Sequence, residues 1–561
     1  MKPAAARCLR GGFLVGVLAL SGSAVAAEDP PAPAAPAAPA APAAPVPPPP
    51  PPGPVAPAPS GAPAAPAPTP ASALPASPFP SPAGDVMRLT LAEALRLGAA
   101  RNLELMAGAY DPAIACAQID VADGVFDSLL TAGFDAGHQE TTSNVAFVGS
   151  DVTQDDSVNA FAGISRRFRD GSRLAVVFQA DRLDTNSAVA TIDPSWSTGV
   201  SVEYARPLLR GAGDVATADV RKARAAARAA DLGLSALTDS VVLRIEVAYW
   251  NLAFAHAQWS ARKASERVAE ELLSLTQARY DAQVATVLDM AEARAGVESR
   301  RGDRIAVEGL VGALEDELRA LILPFEAGGR AATARLVPVD DVRSVPASDV
   351  VDPAEVDRFV AQAVRGRPDL LAARAALEGL DISVEQAADQ TRPQLDLVAR
   401  VSTGGLDRGL SSSLGETAGG QATSASVGLA FSVYLGRRSA YAGLQVAEWT
   451  RQQAGLRLRE AENRTVQEVR GALLELATAR ARARTAAGEI TAAREALQGE
   501  QLKEKNGEST PFRVLEKEES LTQAVTRENR ALADVRIAVA RLWRATGLLA
   551  SSRHVAPPSP R

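Results

Sequence analysis

From residue 88 onward the chain alternates between two hydrophobic rhythms. The first has period two. In 130–136, Leu130, Ala132, Phe134 and Ala136 fall on one side, and Thr131, Gly133 and Asp135 on the other. In 173–181, Leu174, Val176, Phe178 and Ala180 oppose Arg173, Gln179 and Asp181. Segments 197–204 and 426–433 repeat the pattern, and 161–168 and 395–401 follow it less regularly. Such alternation predicts strands with one apolar face. A tight Asp170-Gly171 turn joins 161–168 to 173–181. The neighbouring connections, 137–156 and 184–195, are longer, as is the Gly/Ser-rich stretch 404–421. Short turns at one end and long loops at the other fit a transmembrane barrel. The strands alone fit a soluble antiparallel sheet with one wet face equally well.

The second rhythm is helical. Residues 214–281 contain no Pro and only Gly233 as a breaker, and 439–505 form a similar run. At 1.5 Å per residue each spans about 100 Å. Helices of that length pack side by side, as in a coiled coil, rather than inside one globular core. Shorter helices are predicted at 91–124, opened by a Thr90/Glu93 capping box, and at 352–390.

These elements occur twice. Arg101/Arg367, Leu105/Leu371, Ala122/Ala388 and Leu129/Leu395 match at an offset of 266 residues. Gln277/Gln501, Thr286/Thr510, Glu292/Glu516 and Leu318/Leu542 match at 224. A constant offset over tens of residues marks an internal repeat. The first copy is thus 42 residues longer, within the strand-bearing interval 134–249, and the excess is read as two additional strands. Each copy ends in a helical hairpin whose break, at 282–286 and 506–510, forms its tip.

Composition narrows the class. The net charge of −7 argues against a nucleic-acid binder. Lys2, Arg7 and Arg10 before an apolar run, with small residues at 24–26, read as a secretory signal over 1–27. Residues 28–87 are a Pro/Ala linker expected to be extended. Cys8 falls in the signal, which leaves Cys116 as the mature chain's thiol. His138, His256 and His554 are scattered and read as packing or surface residues rather than metal ligands. No P-loop, HExxH, GxSxG or CxxC motif is present, acidic pairs such as Asp340-Asp341 read as solvated loops, and the chain is read as a non-enzyme without cofactor.

Several motifs now stand in order: Leu89-Thr90-Leu91-Ala92-Glu93-Ala94-Leu95, Arg206-Pro207-Leu208-Leu209-Arg210-Gly211, Ala248-Tyr249-Trp250-Asn251-Leu252, Arg279-Tyr280, Arg367-Pro368-Asp369-Leu370-Leu371, Arg392-Pro393-Gln394-Leu395 and Ala540-Arg541-Leu542-Trp543-Arg544-Ala545-Thr546-Gly547. Over residues 88–549 the chain resembles the outer-membrane efflux protein family, the TolC-like exit ducts. The resemblance implies a mainly α fold with a membrane β-barrel. Two repeats, 88–324 and 352–549, are joined by 325–351, followed by a tail at 550–561, and assembled as a homotrimeric α/β-barrel duct. Barrel strands are expected at about 126–206 and 394–434. The family usually has four strands per chain, where this sequence offers six.

The resemblance further implies an outer-membrane location with the helical tunnel in the periplasm. It also implies a periplasmic adaptor and an inner-membrane pump of RND, ABC or MFS type. The duct would serve tripartite efflux or type I secretion. A non-conducting structural coiled-coil protein of the cell envelope is the alternative. The family's Thr-x-x-Asp-x-x-Asp run maps onto Thr510, Arg513 and Glu516, and in the first copy onto Thr286, Asp289 and Glu292. Asp289, Glu292, Arg513 and Glu516 are therefore the candidate pore constriction, with Arg513 expected to pair with Glu516 one turn on. Adaptor contacts are expected at Gln283, Val284, Ala285 and Thr286, and at Gly507, Glu508, Ser509 and Thr510. Gln283 stands where the family usually has a tip glycine.

Overall fold

The computed structural model describes residues 86–142, 152–322, 334–342, 355–506 and 508–559. The expected signal, nearly all of the Pro/Ala linker, most of the 325–351 connection and Gly507 lie outside these residues.

The stretch expected as one helix over 91–124 is three: α1 (Leu91–Arg101), α2 (Leu103–Gly108) and α3 (Tyr110–Asp123). Thr90 and Glu93 do form a capping box. The first break is Asn102, which is extended at ψ 121°. Its side chain accepts the Leu105 N–H at 3.1 Å and donates to the Leu321 carbonyl at 3.0 Å. An Asn here caps rather than continues a helix. At the matching place in the second half Pro368 imposes the same break by another route. It holds Arg367 extended between α6 (Val356–Gly366) and α7 (Pro368–Gln390).

Two long hairpins follow. α4 (Ala218–Asp281) returns as α5 (Val287–Ile322), and α9 (Arg438–Lys505) returns as α10 (Pro511–Ala545). α4 packs against both α5 and α10, and α9 lies along α10. Where the shorter helices cross α4, its motif residues become the core. Ile245, Tyr249 and Leu252 are fully buried among Leu95, Leu105, Leu318, Ile322 and Leu336. The Tyr249 hydroxyl donates to Asp340 at 2.7 Å, and the Asp340 carboxylate also accepts the Leu91 N–H. Asp340 is therefore an anchor and not the solvated loop residue the sequence suggested. It fastens β6 (Arg335–Pro338), which pairs in parallel with β1 (Val86–Leu89), to the start of α1. α10 ends where Gly547, at φ +73°, crosses the Arg367–Pro368 junction; a Cβ there would lie 2.8 Å from the Arg367 Cα. The short α11 (Leu549–Ser552) then docks on α4.

The strands form one antiparallel sheet in the order β2 (Ser128–Thr142), β3 (Val152–Arg167), β4 (Arg173–Thr185), β5 (Ser195–Pro207), β7 (Gln394–Asp407) and β8 (Ala422–Ser432). The register aligns Leu130, Ile164, Val176, Val202, Val401 and Ala425 in one unbroken row across all six strands. On the opposite face Thr131, Gly163, Val177, Ser201, Ser402 and Ser424 line up in the same way.

Two expected loops are corrected. Most of 137–156 outside the undescribed stretch is strand, with Gln139 opposite Asp155 and Thr141 opposite Thr153. Backbone pairing continues there after the side chains turn polar on both faces, so the alternation that reveals a strand disappears. The Gly/Ser-rich 404–421 contains a helix, α8 (Leu410–Gly419), held to β5 by the Ser413 and Thr417 hydroxyls 2.8 and 2.6 Å from that of Thr198, and to β7 by the Ser413 hydroxyl, which donates to the Gly405 carbonyl at 2.9 Å. No helix among the described residues is long and apolar enough to cross a membrane.

Candidate functional site at the hairpin tips

The end of α4 and the end of α9 lie side by side. Arg279, in the last turn of α4, reaches Glu504 of α9 at 3.6 Å. Sequence spacing gave no hint of this pair, because its members are 225 positions apart on different hairpins.

At the first tip the Arg279 carbonyl accepts the Val284 and Ala285 N–H groups at 2.9 and 3.2 Å. Gln283 makes the reversal with φ +59°, in the left-handed region that favours glycine. α5 then opens with a reciprocal cap. The Thr286 N–H and hydroxyl both donate to the Asp289 carboxylate at 2.7 Å, and the Asp289 N–H donates to the Thr286 hydroxyl at 3.2 Å. The Thr286 N–H holds the Asp289 carboxyl below the usual carboxylate range. Thr-x-x-Asp at this spacing is thus a helix start, the ordinary reading of these residues that stands beside the constriction one. Asp289 and Glu292 both face solvent.

The second tip is built differently. Thr510 makes no side-chain cap, and Arg513, three residues on, has no acceptor to offer. Pro511 opens α10, where its missing N–H is no loss. The connection is held from the other side. The Glu508 N–H donates to the Lys503 carbonyl at 2.8 Å, and the Ser509 hydroxyl donates to Glu500, a carboxylate buried at the end of α9. That bond, with Lys503, Arg513 and Lys517 nearby, keeps the Glu500 carboxyl below its ordinary range. The expected Arg513–Glu516 pair does not form among the described residues. Arg513 acts instead on Glu500, across the tip. Arg513 and Glu516 are exposed.

Further up, Arg262 of α4 ties three helices at once, to Asp303 of α5 at 3.2 Å and Glu519 of α10 at 2.8 Å. Beside it Glu518 is half-buried, and desolvation raises its pKa. Among the described residues no group of His, Cys, Asp and Glu could hold a metal ion.

Comparison with known proteins places this architecture. The model of the outer membrane efflux protein family matches residues 359–548. No curated protein matches the chain. Among solved structures, the Campylobacter jejuni CmeC outer membrane channel has a TM-score of 0.59 at 14% identity, over 82% of this chain and 86% of that one. The outer membrane protein VceC of Vibrio cholerae gives 0.58 at 16%, over 82% and 96%. The open state of the Neisseria gonorrhoeae MtrE outer membrane channel gives 0.54 at 17%, over 82% and 88%. Residues 359–548 are thus an outer membrane efflux protein domain, within a chain that has the fold of the TolC-like channels.

Proposed function

We propose that the chain is an outer-membrane exit duct, a passive conduit from periplasm to exterior that works as a homotrimer. One observation carries this reading. A six-stranded sheet with an unbroken apolar row on one face and mostly small or polar residues on the other continues directly into helices of 64 and 68 residues that end in paired tips. A sheet of that kind fits lipid outside and water inside. Helices of that length reach about 100 Å from it. The rival, a non-conducting coiled-coil envelope protein, gives no reason for the apolar sheet face.

In this reading the tips form the gate. Asp289, Glu292, Arg513 and Glu516 would repeat three-fold around the constriction, and the Arg279–Glu504 pair would hold neighbouring hairpins together. The segments Gln283, Val284, Ala285, Thr286 and Gly507, Glu508, Ser509, Thr510 would meet a periplasmic adaptor linked to an inner-membrane pump. The exposed Val284, Val287, Leu288 and Phe512 supply an apolar cap for that contact. Energy would come from these partners.

Conductance tests the proposal. An exposed ion pair contributes up to about 1 kcal/mol, so three copies of Arg279–Glu504 bias the gate by at most about 3 kcal/mol, roughly one hundred-fold in the closed-to-open ratio. In planar bilayers the Arg279→Ala, Glu504→Gln variant is expected to open more often than the parent. A purified trimer that conducts in neither form would overturn the duct.

A further inference from the structure

We propose that the hairpin β3–β4 widens the membrane part of this duct. Three chains, each pairing β8 with β2 of the next copy, would close an eighteen-stranded barrel about as wide as the helical tunnel beneath it. The proposal rests on the duct reading above and adds a bore to it.

Four strands have a helix directly attached. α3 leads into β2 and α7 into β7, while β5 leads into α4 and β8 into α9. Those helices pack side by side in the order α3, α4, α7, α9. Among the described residues β3 and β4 have no helix of their own. Their turn is seated on the shoulder between α3 and α4. Arg169 binds Asp123 at 2.7 Å and lies 5.6 Å over the Phe126 ring, and the Gly213 N–H reaches the Asp170 carbonyl at 3.4 Å. Gly171, at φ +88°, passes so close to the Gly211 carbonyl that a Cβ would sit 2.4 Å from it. The hairpin is also wall rather than appendage. Ile164 and Val176 continue the apolar row between Leu130 and Val202, and Ala162 and Phe178 continue the next one between Ala132 and Val200.

The arcs explain why a hairpin can be inserted there. At a spacing of about 4.8 Å and a tilt of about 40°, each strand takes about 6.3 Å of circumference, so six take about 38 Å and four only about 25 Å. Four helices at about 9–10 Å apart take about 36–40 Å. Six strands match the helical wall below them. Three chains then give a backbone diameter of about 36 Å, against about 24 Å for twelve strands.

The occupant of the free edges follows from the backbone. Among the described residues β2 and β8 each leave one edge unpaired, and lipid offers those N–H and C=O groups no hydrogen-bond partner. Six strands are too few to close on themselves, since the smallest such barrels have eight. β2 runs away from the helices and β8 towards them, so β8 of one copy meets β2 of the next with antiparallel polarity. The helices under these two edges carry exposed apolar residues too, Ile114 and Val121 on α3, and Val446 and Trp449 on α9. Sheet and helices thus offer the same two flanks to the same neighbour.

Polymer exclusion from the exterior side tests the bore. Poly(ethylene glycol)s of graded size are added outside the reconstituted wild-type channel and a variant lacking residues 152–185, in which β2 would pair with β5. The largest polymer that still enters is expected to be about 1.5-fold wider for the wild type. Equal cut-offs in two conducting trimers would overturn the proposal. Should the shortened chain fail to assemble, nitroxides at Ile164 and Phe178 on a Cys116→Ser background decide, compared with Val202 and Leu429. Oxygen accessibility equal to the reference sites supports the wall; access to a water-soluble nickel chelate overturns it. Failure of the duct reading looks different, because then the wild type never conducts although the labels can still report lipid.

Discussion

Gln283 adopts φ +59° at the exposed first tip, and that conformation costs a non-glycine residue about 1 kcal/mol. Gln283→Gly is therefore expected to tighten the tip. Hydrogen exchange at the Val284 and Ala285 amides, which both donate to Arg279, should slow by up to a few fold; faster exchange would show that the Gln side chain itself holds the turn. The acids beside it set the pH range of the tips. Asp289 and Glu500 are both held below their ordinary values, by Thr286 and Ser509 respectively. Their contribution is complete above the unfolded carboxylate values of about 3.9 and 4.3, and is lost as pH falls through the lower folded values. Exchange at the tips, corrected for its intrinsic pH dependence, should stay level from pH 8 to about 5 and rise only below about 4. A rise near pH 6 would point to some other titrating group.

At the scale of elements, the C-terminal segment acts as a clamp on α4. Arg553, just past α11, reaches Glu246 at 2.7 Å, and Glu246 is 1% exposed. Removing one partner of a buried ion pair costs about 3–5 kcal/mol, far more than replacing both. Arg553→Ala should lower the denaturant midpoint of the protein markedly, and Glu246→Met with Arg553→Met should recover most of the loss. Equal midpoints for the parent and Arg553→Ala would mean the clamp is not coupled to global unfolding. Pairs of this kind mark the limit of sequence reading. The long helices were legible because no Pro and only isolated Gly interrupt 218–281 and 439–505, and the sheet's apolar face because period two survives wherever one side meets a nonpolar medium. The two breaks within 91–124 were not; the first depends on Asn102 finding the Leu321 carbonyl more than 200 residues away. The outer ends of β2 and β3 were hidden because both faces are polar there. At the tips the break positions were readable, whereas Arg279–Glu504 exists only once two hairpins are laid side by side, and Ser509–Glu500 only once the second tip has folded back on α9.

For the whole molecule, the asymmetry between the tips should appear in ion selectivity. The proposed constriction carries three acids and one base per chain, so a trimer presents a net charge of −6 there. Charge rings of this kind favour cations. Not every member is equally available. Asp289 is engaged by Thr286, which leaves its charge in place but fixes its position. Glu292 and Glu516 are exposed, and Arg513 stands on the second hairpin, with its field also felt by Glu500. Arg513→Ala would remove the sole base and bring the ring to −9. Under a potassium chloride gradient the reversal potential is expected to move further towards the potassium equilibrium value. Glu516→Gln should move it the opposite way, because the ring falls to −3. Both shifts should shrink at about 1 M salt, where the screening length drops to about 3 Å. Two variants that shift the potential in the same direction, or a shift that survives high salt unchanged, would place the selectivity ring elsewhere along the duct, for instance among the polar-face side chains of the sheet. There Asp135, Asn159 and Asp181 stand in one row across β2, β3 and β4.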